Sequence, residues 1–255
     1  MNKTRGERDK ELFNQITKNY ALKDQIVSTK IVRERTILSS FNMLDNDKPL
    51  NIIEIGCGIA APYEYLKKVT KINSYIGLDH SAEMIKNANI LYQNDKNINF
   101  SCNDALKFDG YVEGDLILSI GVLHHVENVD LLLKTLFENM KDNASILVIE
   151  PNDNNSLIRF FRTIRKAVDK SYSSEQIFFK PNILINHIKD AGFTDVKYSY
   201  KGYFSTPLGE VILRPIGFFH LLSKIFIKVD SFLERKLPAF LKKQSWAISV
   251  VATKK

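Results

Sequence analysis

Cysteine, proline, glycine and long apolar runs are all scarce in this chain of 255 residues, and each scarcity excludes something. Cys57 and Cys102 are the only cysteines, too few for a disulfide framework or a four-cysteine zinc site. Neither has a ligating neighbour in sequence, so no metal site is expected and both read as structural thiols. The 11 Gly and 7 Pro are too few for a collagen-like or low-complexity chain. No stretch of about 18 uncharged apolar residues is present to span a bilayer; the stickiest segment, 215–223, lies between Arg214 and Lys224. The first ten residues are charged and hold no apolar stretch of the kind a signal peptide needs, so a cytoplasmic location is expected. What remains is an ordinary globular composition, 44% hydrophobic and 25% charged, long enough for one large α/β domain with a sizeable core.

The formal net charge of +7 conceals a division. Residues 1–154 carry 18 Lys+Arg against 22 Asp+Glu, a net of −4, whereas 155–255 carry 18 against 7, a net of +11. A basic half of this kind suits anionic partners, among them nucleic acid, lipid headgroups or a phosphate-bearing substrate; lysines that merely solvate helix faces remain the plainer alternative.

Periodicity predicts two N-terminal helices, 7–20 and 24–43, the second with Ile26, Val27, Ile31, Ile37, Leu38 and Phe41 at helical spacing. Apolar runs then alternate with helical patterns, the signature of βαβ units and a parallel sheet. Strands are expected at 51–55, 74–78, 97–102, 115–119 and 145–150, with helices at 60–69, 82–93 and 129–140. A basic helix at 152–169 follows, then a helix at 182–191 ended by Gly192. Two last strands, 195–200 and 246–253, are far enough apart that 201–245 reads as an insertion between neighbours. Within it Phe218, Phe219, Leu221, Leu222, Ile225, Phe226, Val229, Phe232 and Leu233 form a broad apolar helix face, with Lys224, Lys228 and Arg235 on or beside the other. Burial of that face against the domain is the expected arrangement; a lid, or an element lying on an anionic membrane through 214–236, is the sharper alternative.

The chemistry concentrates in Ile52-Ile53-Glu54-Ile55-Gly56-Cys57-Gly58-Ile59-Ala60-Ala61. A buried strand ends in two glycines that permit a tight turn and close backbone approach to a ligand, and a helix begins just beyond. The next strand ends in Asp79, 21 residues after Gly58, where a carboxylate can accept bonds from both ribose hydroxyls. Dinucleotide enzymes share this layout, but Glu54 stands where a pyrophosphate site gains nothing from negative charge. A carboxylate there suits a cationic ligand, such as one bearing a sulfonium and an amino group.

On these residues the chain resembles the class I S-adenosylmethionine-dependent methyltransferases, closely over about 50–151 and more loosely over 182–255. The resemblance implies a Rossmann-like α/β fold: a seven-stranded, mostly parallel sheet with helices on both faces, an antiparallel C-terminal strand pair and helical substrate-side insertions. It implies S-adenosylmethionine as cofactor, its methionine portion on Glu54, Gly56, Cys57, Gly58 and Ala60, its ribose on Asp79 with His80 and Met84 nearby. Asn103, Asp104 and Ala105 then border the adenine, and Ser119 and Ile120 line the methionine end. Ala60 stands where a third glycine is common. The organisation that follows is one domain over 1–255: a helical cap at 1–45, a cofactor-binding core at 50–151, and acceptor-side insertions at 152–180 and 201–245.

After the fourth strand comes Ser119-Ile120-Gly121-Val122-Leu123-His124-His125-Val126, in a position that faces the acceptor in the family. Quinone and lipid methyltransferases often carry Glu-His where this chain has His124-His125. Either imidazole could act as a general base toward a hydroxyl; packing of the turn is the alternative for both. The adjacent pair lacks the spacing of a metal-binding helix. The Asn/Asp-Pro-Pro-aromatic motif of base-amine methylation is missing, and no nucleic-acid module is recognisable. The expected acceptor is therefore a small or amphiphilic molecule, a saccharide, lipid-linked or quinone-like metabolite, methylated on oxygen. An RNA acceptor, or a protein that binds the cofactor without transferring its methyl, are the other readings left open.

Overall fold

The sheet explains itself from the strand sequences. In a computed structural model the described residues are 7–8, 11–12, 14, 26–44, 47–156, 159–160, 163, 178–210 and 215–255. Strands β1 (Leu50–Ile55), β2 (Ile72–Asp79), β3 (Ile98–Cys102), β4 (Leu116–Ile120) and β5 (Ser145–Pro151) run parallel. The interiors of β1, β4 and β5 are nearly continuous apolar runs, as expected of strands covered on both faces. β6 (Thr194–Lys201) and β7 (Ala247–Thr253) complete a seven-stranded sheet in the order β3-β2-β1-β4-β5-β7-β6, with β7 antiparallel to both neighbours. The expected seven-stranded sheet and its closing antiparallel pair are thus present.

Helices fall on both faces because alternate strand residues point to opposite sides. Ile53, Ile55, Ile146 and Val148 pack on one side with α4 (Val129–Asn139) and α5 (Pro181–Asp190). Leu50, Ile52, Leu116 and Leu118 pack on the other with α1 (Val27–Phe41), α2 (Ala61–Leu66) and α3 (Ala82–Leu91). Ser81 and Asn128 cap α3 and α4 by accepting N–H bonds from Met84 and Leu131. Gly192, at φ +109°, ends α5 as expected, with its N–H donated to the Lys189 carbonyl. The expected helix at 7–20 and the basic helix at 152–169 lie largely outside the described residues.

Two expectations about helix faces are corrected. In α1, Val27 is exposed, and the buried positions are Ser28, Thr29, Val32, Ile37, Ser40 and Phe41. Small hydroxyl side chains let this helix approach the sheet closely; Ser40 and Ser249 hydroxyls meet at 2.6 Å. The larger correction concerns the insertion, which forms α6 (Ser205–Glu210), α7 (Ile216–Lys236) and α8 (Ala239–Lys242). The apolar face expected to be buried is split, and its outer half is wet: Phe218, Leu221 and Phe232 are 58%, 60% and 56% exposed, while Ser223 and Asp230 are 0% exposed.

Buried polar groups decide which side of α7 turns inward. Asp230 accepts the backbone N–H groups of Phe204 and Ser205 and the Ser205 hydroxyl, at 3.0, 3.0 and 2.6 Å. One turn later Glu234 accepts the Gly202 N–H and pairs with Arg35 of α1 at 2.5 Å. Leaving three buried donors without an acceptor costs more than exposing a few apolar side chains saves. Asp230→Ala is therefore expected to lower unfolding free energy by about 3 kcal/mol, whereas Phe218→Ser should stay within about 0.5 kcal/mol of the parent. Urea denaturation of the two variants measures this, and the opposite order would show that α7 is turned the other way.

Candidate functional site

Register brings the expected site residues to one edge. Ile55 pairs with Leu78 and with Ser119, Leu78 with Ser101, and Ser119 with Val148. The residues just beyond this row, Gly56, Asp79, Cys102, Ile120 and Ile149, therefore lie side by side where β1 to β4 end, and β5 runs on to Pro151. Both roots of the insertion reach the same edge, since Lys201 and Pro151 each pair with Ala247.

The first turn is built from left-handed residues. Gly56, Gly58 and Ala60 have φ of +62°, +54° and +55°. A Cβ on Gly56 would lie 2.5 Å from a Val122 methyl, so its glycine is needed where the first and fourth turns touch. A Cβ on Gly58 would meet nothing within 4 Å; there the loop presents bare backbone to open space. Such a cradle fits the methionine portion of the cofactor that the sequence suggests. Ala60, buried and left-handed, bears strain of about 1 kcal/mol that the commoner glycine would avoid.

Asp79 ties this turn to the next. Its Oδ2 accepts the Gly58 N–H and its Oδ1 the Ser81 N–H, both at 2.8 Å. Each oxygen retains a second lone pair, so a ribose hydroxyl is compatible with both bonds. The Asp79 carbonyl also accepts the Asn103 N–H, which brings the third turn in. Asp104 is exposed, and its Oδ1 accepts the Leu106 N–H; Tyr111 fixes the following residue through its hydroxyl on the Ala105 carbonyl. His80 is half-buried and Met84 buried.

Glu54 does not stand at the loop surface. It is 2% exposed and accepts the Tyr75 hydroxyl at 2.5 Å, on the sheet face that also carries Ile52 and Cys57. Burial and then the Glu54 carboxylate raise the Tyr75 hydroxyl well above its ordinary pKa, which keeps it a donor. The Cys57 thiol is likewise raised, first by burial and then by Glu54 and Asp79. Glu54, Tyr75, Cys57 and Asp79 thus form one electrostatic neighbourhood about the turn, two of the four being carboxylates.

The fourth turn holds a group that sequence reasoning missed. Glu150, fully buried at the end of β5, accepts the N–H groups of Val122 and Leu123 on one oxygen, at 2.9 and 2.7 Å. Its other oxygen meets His124 Nδ1 at 2.6 Å. The segment Leu123–His125 is a single 3-10 turn, and the carboxylate fixes both its backbone and its first imidazole. Phe178 stacks on the His124 ring at 5.6 Å, and the His125 ring lies 4.2 Å away. A lone acid closing the apolar run Ile146–Ile149 was the one sequence signal for Glu150. The neighbouring Phe179 is 3% exposed and part of the core. Among the described residues no group of three or more His, Cys, Asp or Glu is arranged to hold a metal.

A family model described as a methyltransferase domain matches residues 30–198. Over 218 residues the chain is 23% identical to an O-methyltransferase 3 of Dictyostelium discoideum, covering 78% of this chain and 48% of that protein, so it spans about half the length of the curated relative it matches. Among solved structures, one titled a SAM-dependent methyltransferase, possible histamine N-methyltransferase, from Thermotoga maritima superposes with a TM-score of 0.68 at 17% identity. It covers 96% of this chain and 99% of that one. A Haemonchus contortus phosphoethanolamine N-methyltransferase 2, in complex with phosphomonomethylethanolamine and S-adenosylhomocysteine, gives 0.61 at 14%, covering 86% and 52%. At such identities the likeness is one of fold.

The thiols report on the packing beneath the turn. Cys57 is buried and Cys102 exposed, and a raised thiol pKa leaves little reactive thiolate at pH 8. An Ellman titration of the native protein should therefore read Cys102 alone, with Cys57 appearing only in denaturant. Two fast thiols would show that the Glu54–Tyr75–Cys57 layer is open to water.

Proposed function

The chain belongs to the methyltransferase-domain family, whose model matches residues 30–198, and from that membership we propose that it transfers a methyl group from S-adenosylmethionine to the oxygen of a small, amphiphilic acceptor. In this reading the bare backbone at Gly56–Gly58, shaped by Cys57 and Ala60, takes the methionine portion. Asp79 takes the ribose hydroxyls with the lone pairs its backbone bonds leave over. His80 and Met84 flank the nucleoside, Asn103, Asp104 and Ala105 border the adenine, and Ser119 and Ile120 line the methionine end. Glu54 acts at a distance: a carboxylate buried beneath the turn biases the potential above it toward a cation.

When bound, the cofactor supplies an electrophilic methyl on a good leaving group, so alignment does most of the work. The residues of the chain have a proton to manage. Glu150 accepts the Nδ1 proton of His124, which leaves the Nε2 lone pair as the base of a neutral imidazole. That lone pair takes the hydroxyl proton of the acceptor as its oxygen attacks the methyl carbon. The buried pairing of His124 with Glu150, at the strand edge shared with Gly58, carries the choice of oxygen, because an alcohol must lose a proton to be methylated. Glu150 acts through His124 and is a positioning residue. The similarity to an O-methyltransferase points the same way. The amphiphilic acceptor is supported by the apolar composition of the insertion rooted at this end, whose Phe204 is exposed three residues from the root at Lys201. In this reading the core at 50–151 holds the cofactor and the insertions at 152–180 and 201–245 face the acceptor.

Calorimetry and transfer of tritium from labelled cofactor test this together. Asp79→Ala should abolish measurable cofactor binding. His124→Ala should bind within about twofold of the parent and lose about 100-fold or more in turnover. Glu150→Gln should retain binding and lose turnover, since the amide oxygen stays with the Val122 and Leu123 N–H groups and the amide NH2 left facing His124 Nδ1 favours the other tautomer. Label is expected in lipid or saccharide fractions; label in RNA alone, or full turnover by His124→Ala, would overturn the reading.

A further inference from the structure

Helix α7 carries its most apolar stripe on the outside of the molecule. Phe218, Leu221, Ile225, Val229 and Phe232 recur at i, i+3, i+7, i+11 and i+14, one line along the helix, and are between 37% and 60% exposed. Phe240 of α8, 69% exposed, follows beyond its end. Scattered exposed apolar residues are ordinary, whereas a continuous stripe rimmed by charge marks a contact surface.

The rim has one sign. Between Ile216 and Lys243 the bases are Lys224, Lys228, Arg235, Lys236, Lys242 and Lys243, and the acids are Asp230 and Glu234. Both acids point inward: Asp230 is committed to Phe204 and Ser205, and Glu234 to Arg35 and Gly202. Among the described residues no carboxylate lies within ion-pair distance of Lys224, Lys228, Arg235 or Lys236. The surface α7 offers is therefore an apolar stripe edged by positive charge, with its negative groups withdrawn.

We propose that α7 is an interfacial anchor that lies flat on an anionic lipid surface, its stripe at the boundary of headgroups and acyl chains and Lys224, Lys228 and Arg235 against the headgroups. Its 21 residues lay down a contact about 30 Å long. It does not span: among the described residues no helix is long and apolar enough to cross a membrane. A second copy of the chain fits less well, because antiparallel pairing along the stripe sets the Lys224–Lys228–Arg235 edge against itself. A nucleic acid would use the positive edge and leave the stripe in water. The inference rests on α7 and stands apart from the identity of the acceptor, but it has a consequence for the site. The insertion is rooted at the strand edge that holds Gly58 and His124, so docking by α7 would attach the lipid surface to the segment that leaves from that edge.

Flotation of the full chain with phosphatidylcholine vesicles, with and without phosphatidylglycerol, tests the proposal. Binding is expected only where the anionic lipid is present, and it should weaken with salt. The Lys224→Gln, Lys228→Gln double variant should bind about thirtyfold more weakly, and Leu221→Ser, Ile225→Ser about tenfold or more. Both pairs are exposed, so melting temperature and cofactor binding should stay at parental values, which separates failure here from failure of the methyl-transfer reading. The proposal is overturned if the chain ignores anionic vesicles, or if the serine variant binds them as well as the parent. It is equally overturned if light scattering finds a dimer that the serine variant dissolves.

Discussion

A single residue, Asp79, holds three strand-ending turns in one piece. It accepts from Gly58 in the first turn and from Ser81 in the second, and its own carbonyl accepts from Asn103 in the third. A loop with left-handed φ at 56, 58 and 60 would otherwise have many conformations of similar energy. Charged acceptors make stronger bonds than neutral ones, so two N–H groups directed at one aspartate suffice to select one of them. The price in side-chain entropy is small because the residue sits at the rigid end of β2. Glu150 repeats the device at the fourth turn, with two backbone N–H groups and an imidazole on one buried carboxylate.

These two acids divide the site into halves with different physical demands. On the Asp79 side the chain offers backbone and open space, and specificity comes from hydrogen bonds of fixed direction. On the Glu150 side it offers a ring whose Nδ1 is held from behind by that carboxylate and whose face is covered by Phe178. Val122 joins them: it contacts the Gly56 position and donates its N–H to Glu150. A shift of either turn is therefore felt by the other through one residue.

How much of this could be read from the sequence depended on distance along the chain. The Gly56–Gly58 turn, Asp79 and the alternation of strands and helices are local signals, and the structure has them where the pattern placed them. Glu150 is 26 residues from His124, and nothing within its own strand says that an acid after Ile146–Ile149 will meet an imidazole. Helix α7 failed in a different way. Its periodicity reveals two unlike faces but is silent on which one is wet, and that was decided by Asp230 and Glu234 meeting backbone N–H groups of Gly202, Phe204 and Ser205. In α1 Ser28, Thr29 and Ser40 are polar in sequence and buried in the structure, and the Ser40 hydroxyl finds its partners in the Thr36 carbonyl and Ser249.

The chain leaves the sheet after Lys201 and returns at Ala247, and the two openings are fastened to each other. Trp246 donates its N–H to the Gly202 carbonyl, and the fully buried Asn152 amide bonds the Lys243 and Ser245 carbonyls. Whatever lies between these points closes over the same short span, so the entropy of closing it grows only with the logarithm of its length. The segment is in effect a cassette seated in a permanent socket. It can be lengthened, trimmed or exchanged for another while β6, β7 and the turns that carry Asp79 and Glu150 keep their places.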